Sequence, residues 1–203
     1  MFRSINKQEI GFECHGLGNG YTLWTGDLSV EFRLDPANFE ALWQMHPPEY
    51  HEILIYGRAV KTPRWQQAFG IDYHYTGRVN RALPIPLLLG PLLAWSQEHI
   101  DERLNSILIN WYDGLLGHYI GRHRDSTKEM INGVPIVTVS FGDEKIFRLR
   151  QYCGVGRRDF STRDGGVFIM PYETNQAWTH EVPHTQKFSG RRISVTLRGF
   201  LEA

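Results

Sequence analysis

The sequence predicts one mainly β (α+β) domain, in which two supporting helices precede a β core. The chain has 203 residues, of which 41% are hydrophobic and 22% are charged, as in ordinary globular domains. Two helix-like segments lie in its first half. From residue 106 onward, short β-rich runs alternate with Gly, Asp, Asn and Pro. Many short strands at this spacing are typical of a sandwich, a jelly roll or a barrel.

The first helix is predicted within residues 35–48, DPANFEALWQMHPP. Asp35 is a suitable N-cap, Pro36 fits the first turn, and Pro47 and Pro48 stop the helix. A second helix is predicted over residues 90–105, where apolar side chains recur broadly on one side.

Seven strands are predicted for the core, and the last of them has an unusual polar face. Ile193, Val195 and Leu197 point to one side of this strand, and the alternate residues point to the other. Arg192 and Arg198 would then stand roughly 20 Å apart on the polar face. Such a face either meets water or lines an anion pocket. The seven runs are SILINWY, HYIGRHRD, PIVTVSF, KIFRLRQY, GGVFIMPY, AWTHEV and RISVTLRGF.

Composition limits the classes of function. A formal net charge of zero and a pI near 7.1 argue against a general nucleic-acid binder, although residues 58–81 and 145–163 are locally basic and compatible with one basic face. No apolar run is long enough for a membrane span, and the N-terminus lacks a signal core. We therefore expect a soluble, intracellular protein without a membrane partner. Cys14 and Cys153 are expected to be free thiols.

A metal site is predicted around the segment GRHRDS. His123 and Asp125 are two residues apart and project to the same side of a strand. A third ligand must come from elsewhere, and His180 and His184 are both available. Two histidines and one carboxylate leave three open positions on an octahedral ion, which suits non-haem Fe(II), whereas zinc is more often held by four ligands or by three and a water.

The polar strand strengthens this interpretation. An iron ion with open positions can hold a 2-oxoacid, and the far carboxylate of a dicarboxylic oxoacid needs a cationic partner such as the planar guanidinium of Arg192. Asn110 and Tyr112 share a side of another predicted strand and could donate hydrogen bonds to the same anion.

These linked motifs resemble the AlkB family of Fe(II)- and 2-oxoglutarate-dependent dioxygenases over about residues 53–200. The matching pattern is N-x-Y at 110–112, H-x-D at 123–125, a distant histidine, and R-x₅-R at 192–198. The resemblance implies a double-stranded β-helix, or jelly-roll, core. It implies iron bound by His123, Asp125 and His180, with His180 preferred over His184 for its distance to Arg192. The 2-oxoglutarate pocket would contain Asn110, Tyr112, Arg192, Ser194 and Arg198.

The resemblance also implies contacts to a flipped base. Residues 63–77, PRWQQAFGIDYHYTG, resemble a nucleotide-recognition lid. Tyr75 would stack on the base opposite a metal histidine, Tyr73 would make a polar contact to it, and Arg64 would contact the nucleic-acid backbone or the lid. Ile55 and Tyr56 stand where members that act on double strands carry an apolar wedge, which fits the need to extrude a stacked base before it reacts.

Two positions depart from the family pattern. Many nucleobase demethylases have an acid four residues after the first metal histidine, but Thr127 occupies that position and Glu129 is the nearest acid. A threonine attracts a cationic methylated base less well than a carboxylate does. Ser194 stands where several members have Asn, which leaves one fewer donor near the oxoacid.

The function implied by the resemblance is oxidative demethylation of N-alkylated bases with Fe(II), 2-oxoglutarate and O₂. Alkylated DNA is the expected substrate, with RNA possible. The alternatives are a 2-oxoglutarate dioxygenase acting on a protein, lipid or small molecule, and a non-catalytic, metal-stabilised nucleic-acid-binding module. We expect a monomeric single domain over 1–203, with an N-terminal extension to about 52, a lid over 53–82 and a catalytic core over 106–200.

Overall fold

The computed structural model describes residues 11–75 and 77–201, and this part of the chain is mainly β. Its strands follow in chain order. They are β1 (Glu13–Gly18), β2 (Tyr21–Asp27), β3 (Glu52–Ile55), β4 (Arg58–Lys61), β5 (Trp65–Phe69), β6 (Tyr73–Tyr75), β7 (Arg78–Asn80), β8 (Ser106–Asp113), β9 (Ile120–His123), β10 (Ile136–Gly142), β11 (Ile146–Gln151), β12 (Arg157–Ser161), β13 (Gly166–Met170), β14 (Trp178–Val182) and β15 (Arg191–Arg198). The α-helices are α1 (Pro36–Trp43), α2 (Gly90–His99) and α3 (Tyr172–Ala177).

Two antiparallel sheets form the core. The larger sheet has seven strands in the order β1-β2-β13-β10-β15-β8-β5, and the smaller has four in the order β12-β11-β14-β9. Two hairpins, β3-β4 and β6-β7, stand apart from these sheets. The arrangement confirms the mainly β class and the jelly-roll core.

The larger sheet has apolar side chains on both faces. On one face, strand residues such as Val195 and Leu197 pack with Leu42 of α1 and Leu92 of α2. On the other face, Phe168 belongs to a second apolar cluster that includes residues of the smaller sheet. A cavity lies on this second side, and residues of both sheets line it.

Both predicted helices are present and shorter than expected. Asp35 caps α1 as predicted, because its carboxylate accepts a hydrogen bond of 2.8 Å from the backbone N–H of Asn38. The second helix was predicted to reach residue 105, but α2 ends at His99. Beyond it the chain turns at Asp101, whose backbone carbonyl accepts from the N–H of Leu104 and whose side chain binds Arg103. The apolar side chains beyond residue 99 belong to this turn.

All seven predicted core strands are present, and the structure adds others. The predicted N-terminal extension contributes β1 and β2 to the larger sheet, where β2 pairs with β13. The predicted lid contributes β5, which pairs with β8. Strand β12 pairs with β11 at the edge of the smaller sheet. The sections of the chain assigned to an extension and a lid are therefore partly integrated with the core sheets.

Residues 1–10, with most of the N-terminal segment in which no signal core was found, lie outside the described residues. Among the helices in the described ranges, none is both long enough and apolar enough to cross a membrane. Cys14 and Cys153 are exposed and free, as expected.

Candidate active site

Strand β15 gives the cavity its polar wall. It lies between β10 and β8 in the larger sheet, and its residues alternate between the two faces as predicted. Ile193, Val195 and Leu197 are fully buried in the apolar core beside the helices. The alternate residues Arg192, Ser194, Thr196 and Arg198 line the cavity. The arginine face of this strand is therefore buried, and the water-facing alternative is wrong.

Three potential metal ligands meet at one end of the cavity. His123 ends β9, and His180 lies opposite it on the paired strand β14. The Nε2 atoms of His123 and His180 lie 3.7 and 3.9 Å from Oδ1 of Asp125. One ligand atom from each residue lies within 4.8 Å of the others, which is compact enough for a single ion. His184, the alternative ligand, contacts the ring of Tyr119 instead.

The protonation states of these three side chains favour binding of a cation. Nδ1 of His123 is 2.8 Å from the backbone carbonyl of Gly121, so it donates there and leaves Nε2 free as an acceptor. Burial lowers the pKa of His123. Burial, followed by the neighbouring His123, lowers the pKa of His180 to about 3. Burial alone would raise the pKa of Asp125, but Arg198 and the two histidines hold it well below its usual range. The three residues therefore present neutral imidazoles and a carboxylate near pH 7.

Two residues hold Asp125 in place. Arg198 donates to Oδ2 from Nε at 3.0 Å and from Nη2 at 2.6 Å. The side chain of Asn175 accepts from the backbone N–H of Asp125 at 3.0 Å and donates to its carbonyl at 3.0 Å. These contacts fix both the carboxylate and the backbone of this residue, so Oδ1 remains directed at the histidines.

The other end of the cavity contains an incompletely paired guanidinium. Arg192 is 1% exposed and donates from Nη2 to the hydroxyl of Ser140 at 2.8 Å. Its Nε and Nη1 atoms are buried and lack a hydrogen-bond partner in the described chain. The carbon of the guanidinium lies 5.2 Å from the ring centre of Tyr112. Burial lowers the pKa of Arg192. Because unpaired buried donors are costly, this end of the cavity is suited to an anion.

Two tyrosines of the β6-β7 hairpin form part of the cavity wall. The hydroxyl of Tyr73 donates to Oδ1 of Asp125 at 3.4 Å, and burial raises its pKa. The ring of Tyr75 lies 6.2 Å from that of His123. The two tyrosine rings stack with centres 5.9 Å apart. This hairpin therefore brings aromatic surface next to the metal ligands.

The β3-β4 hairpin presents an apolar tip to solvent. Its two-residue turn consists of Tyr56 and Gly57, with φ of 49° and 75°. Both angles are positive, as in a type I′ turn, which strongly favours Asn and Gly. Tyr56 is fully exposed and Ile55 is 42% exposed. A bulky aromatic residue therefore occupies a backbone position that disfavours it, with its ring in water.

Comparison with known proteins decides the family. The sequence profile of the 2OG-Fe(II) oxygenase superfamily matches residues 40–198, which include the triad and Arg192. The chain belongs to the 2OG-Fe(II) oxygenase superfamily. The cofactors of this enzyme class are Fe(II), 2-oxoglutarate and O₂, as predicted.

Curated relatives of this oxygenase include human and mouse proteins, each named DNA oxidative demethylase ALKBH2. The human protein is 30% identical over 164 residues, which cover 73% of this chain and 61% of the relative. The mouse protein is 27% identical over 161 residues, which cover 74% of this chain and 67% of the relative. The oxygenase thus spans about three fifths of the length of the human relative.

A solved structure, that of OsALKBH1, has the same fold. It aligns with a TM-score of 0.56 and 16% sequence identity, and covers 92% of this chain and all of that chain. This similarity shows the fold, and the superfamily match and the two relatives bear out the resemblance to the AlkB family.

The residues present fit both cofactors of this family. Two histidines and one carboxylate converge on one point and would hold Fe(II), leaving open positions for other ligands. The two unpaired guanidinium donors of Arg192 would be satisfied by the far carboxylate of 2-oxoglutarate. Asn110, Tyr112 and Ser194 line the same cavity and are buried, as their predicted roles require.

Arg64 lies in the cavity wall. We expected it to contact the nucleic-acid backbone or the lid, and it is 4% exposed and contacts Gln66 of the predicted lid. It donates from Nε to Oδ1 of Asn110 at 2.7 Å and from Nη2 to Oε1 of Gln66 at 2.9 Å. A guanidinium held in this way does not reach a phosphate outside the cavity. Its surroundings agree instead with a role in the wall of the pocket.

The two residues considered for a contact to a cationic base are not part of the cavity wall. Thr127 is half-buried outside that wall. Glu129 accepts a hydrogen bond of 2.6 Å from Nδ1 of His74, the residue between Tyr73 and Tyr75. The Glu129 carboxylate thus contacts the β6-β7 hairpin.

Sequence reasoning missed several residues of the site. Ser140 and Asn175 support Arg192 and Asp125, and Gln66 lines the cavity beside Arg64. Burial, followed by the charge of Arg192, lowers the pKa of the buried Lys145, so a second cation lies near Arg192. Gln66 follows Arg64 by two residues, and this shared parity was the one signal that could have identified it.

Proposed function

We propose that this oxygenase is an Fe(II)- and 2-oxoglutarate-dependent oxidative demethylase of N-alkylated nucleobases in nucleic acid, with alkylated DNA as the principal substrate. One observation carries the proposal. A single cavity contains a His-Asp-His triad at one end, an incompletely paired buried arginine at the other, and lid tyrosines beside the triad. The activity in the name of the human and mouse relatives supports the same reaction.

When bound, Fe(II) and 2-oxoglutarate would supply the oxidising chemistry: 2-oxoglutarate would take one oxygen atom of O₂ and leave as succinate and CO₂, and the N-methyl group would take the other to give a hemiaminal that loses formaldehyde. His123, Asp125 and His180 would bind the metal through Nε2, Oδ1 and Nε2. Their protonation states support this role, because none of the three has to lose a proton near pH 7.

The polar wall of β15 and β8 would bind and orient 2-oxoglutarate. Arg192 offers two free donors to the far carboxylate. Tyr112, Asn110 and Ser194 would complete the pocket, since they occupy adjacent positions on the paired strands β8 and β15. Arg198 would act mainly through Asp125, to which both of its described hydrogen bonds go. We therefore assign Arg198 as a positioning residue for the metal ligand.

The β6-β7 hairpin would hold the flipped base. Tyr75 stands next to His123 and would stack on a base that approaches the triad, and the hydroxyl of Tyr73 would contact its polar edge. Water would be excluded by the apolar part of the wall, which includes Phe147 and Phe168. These aromatic side chains favour a planar base over a flexible lipid or peptide as the substrate.

The tip of the β3-β4 hairpin would open the duplex. Tyr56 is fully exposed in a left-handed conformation that costs of order 1 kcal/mol or more for a residue of its kind. Residues held in such conformations are concentrated at functional sites. An aromatic side chain at this position could fill the gap left by an extruded base, with Ile55 beside it.

The proposal requires a single copy of the chain, because all the assigned residues come from one protomer. The chain would form one oxygenase domain. The two hairpins would be the substrate-recognition part of residues 53–82, and the sheets of residues 106–200 would be the catalytic part. The expected location is cytoplasmic or nuclear, where nucleic acid is found, and RNA remains a possible second substrate.

The test is an incubation of the purified chain with Fe(II), 2-oxoglutarate and a panel of methylated DNA and RNA oligonucleotides. We expect release of formaldehyde and loss of the methyl group by mass spectrometry, both strongly reduced in Arg192→Ala. Succinate production without demethylation of any oligonucleotide would instead favour an oxygenase of protein, lipid or small molecules. Binding of oligonucleotides without succinate production would favour a non-catalytic module.

A further inference from the structure

We infer that Glu129 is a positioning residue, which holds the β6-β7 hairpin over the metal ligands through its contact with His74. The inference rests on the proposed function and adds a residue pair to the same site. Neither side chain is among the described residues of the cavity wall. Three features of the structure lead to the inference: the attachment of the hairpin, the direction of His74, and the support of Glu129.

The hairpin is fixed by hydrogen bonds at its root. Its two strands pair with each other and stand apart from the two core sheets. Just before β6, the carboxylate of Asp72 accepts a hydrogen bond of 2.7 Å from the backbone N–H of Ala82, just after β7. The side chain of Asn80 accepts from the backbone N–H of Ala68 in the larger sheet at 2.9 Å. The part of β6 that carries the tyrosines therefore depends on other contacts for its position.

His74 points away from the cavity. It lies between Tyr73 and Tyr75, and successive side chains of a strand point to opposite sides. Both tyrosines line the cavity, whereas His74 is exposed. Its Nδ1 atom donates to Oε2 of Glu129 at 2.6 Å. This contact therefore holds the hairpin from outside and takes no space that a base would need.

Glu129 lies on a fixed part of the chain close to a metal ligand. It follows Asp125 by four residues, and its backbone carbonyl accepts a hydrogen bond of 3.0 Å from the N–H of Leu201. The next residue, Met130, is 4% exposed and forms a β-bridge with Phe200. The carboxylate therefore connects the hairpin to a segment that is tied to the end of the last core strand and begins with a metal ligand.

A bound base would make this contact more important. The hydroxyl of Tyr73 also joins the hairpin to the core, since it donates to Asp125 at 3.4 Å. A base held by the hairpin would engage that hydroxyl instead. The pair of His74 and Glu129 lies outside the cavity and would remain. It would then keep Tyr75 in place beside the triad.

The pair should act on the position of the hairpin and little on global stability. The side chains of His74 and Glu129 are 49% and 43% exposed, and ion pairs of such exposure contribute little to the free energy of unfolding. A hairpin outside the core sheets can open locally while the core stays folded. Loss of the pair should therefore loosen the hairpin and slow turnover of a base, with metal and 2-oxoglutarate binding preserved.

The experiment compares Glu129→Ala, His74→Ala and the double variant with the wild type. We expect each to lower kcat/KM for a methylated single-stranded oligonucleotide by about fivefold, while KM for 2-oxoglutarate and the affinity for Mn(II) stay within about twofold. The double variant should lose no more than either single variant, because the two residues act as one pair. Glu13→Ala removes the acid of a similar pair with His15, 3.7 Å apart on β1, and should match the wild type.

Hydrogen exchange gives a readout that does not require turnover. The backbone amides of β6 and β7 should exchange about fivefold faster in Glu129→Ala than in the wild type, while those of β10 and β15 keep the wild-type rate. Unchanged exchange of the hairpin, unchanged turnover in Glu129→Ala, or losses that multiply in the double variant would overturn the inference and leave the proposed function intact. A wild type that demethylates no oligonucleotide would overturn both.

Discussion

Arg198 holds one carboxylate oxygen of Asp125, and the other oxygen faces the two histidines of the triad. Both hydrogen bonds of its guanidinium end on Oδ2, at 3.0 Å from Nε and 2.6 Å from Nη2, while Oδ1 faces His123 and His180. Both partners are almost completely buried. Oδ2 of Asp125 therefore makes a structural contact with Arg198, and Oδ1 would bind the metal.

Replacing Arg198 with Met should destabilise the protein strongly, because it leaves a buried carboxylate without its partner. Breaking such a pair typically costs about 3–5 kcal/mol in the free energy of unfolding. Urea denaturation of the metal-free protein measures this loss. Arg163→Met removes an exposed partner of Asp27 and should cost much less. Equal losses in the two variants would show that Arg198 is not a critical partner of Asp125.

Arg192 and Arg191 provide a matched pair for the oxoacid site. They are adjacent on β15, but Arg192 points into the cavity, whereas the exposed Arg191 donates to Glu40 at 2.7 Å. Arg192→Ala should weaken binding of 2-oxoglutarate by about 3 kcal/mol, on the order of a hundredfold, since a buried charge pair is lost. Calorimetric titration with 2-oxoglutarate in the presence of Mn(II) measures this. Arg191→Ala should bind it normally, and the assignment fails if the two variants behave alike.

The sequence was most informative where residues alternate strictly along a strand. The parity of β15 and β8 separated core residues from cavity residues, and the short H-x-D spacing placed two metal ligands together. Strand β12 was missed because RRDFS is charged and lies at a sheet edge, so it lacks an apolar alternation. Strand β2 was missed because it joins the larger sheet through pairing with β13, more than 130 residues later, and β1 joins that sheet only through its hairpin with β2.

The position of Arg64 was not predictable for the same reason. Its direction depends on the pairing of β5 with β8, in which Trp65 lies opposite Trp111 and Gln66 opposite Asn110. That register turns Arg64 and Gln66 toward the cavity. No local sequence pattern distinguishes an arginine before a buried strand from one in an exposed loop. The position of this arginine in the cavity wall therefore became apparent only in the structure.

The stability of the protein should fall in mild acid, in part through His118. This buried histidine accepts a hydrogen bond of 3.1 Å at Nδ1 from the backbone N–H of Asp113, and its Nε2 lies 2.9 Å from the hydroxyl of Tyr50. Burial lowers its pKa. Below about pH 6.5 the unfolded chain therefore binds a proton that the folded chain does not, and one such group removes up to about 1.4 kcal/mol of stability per pH unit.

Urea denaturation at pH 7.5 and 5.5 checks this for His118. The loss of stability between the two values should be smaller in His118→Gln than in the wild type, because the variant has no group that titrates at this position. His184→Gln changes an exposed histidine and should retain the wild-type pH dependence. The same pH dependence in His118→Gln and the wild type would exclude a contribution from this residue.

Tyr56 should matter for double-stranded substrates and much less for single-stranded ones. Its ring is fully exposed at the hairpin tip and would fill the gap left by an extruded base, a gap that a single strand does not form. Tyr56→Asn removes the ring and keeps a residue that tolerates a φ of 49°. We expect kcat/KM on a methylated duplex to fall roughly tenfold, as for the loss of one stacking contact, with less than about a twofold change on the same single strand.

Val155→Asn alters a fully exposed apolar residue on the turn between β11 and β12 and serves as the control. An equal loss on both substrates would mean that Tyr56 contributes general affinity, and no loss on either would mean that this hairpin does not take part in opening the duplex.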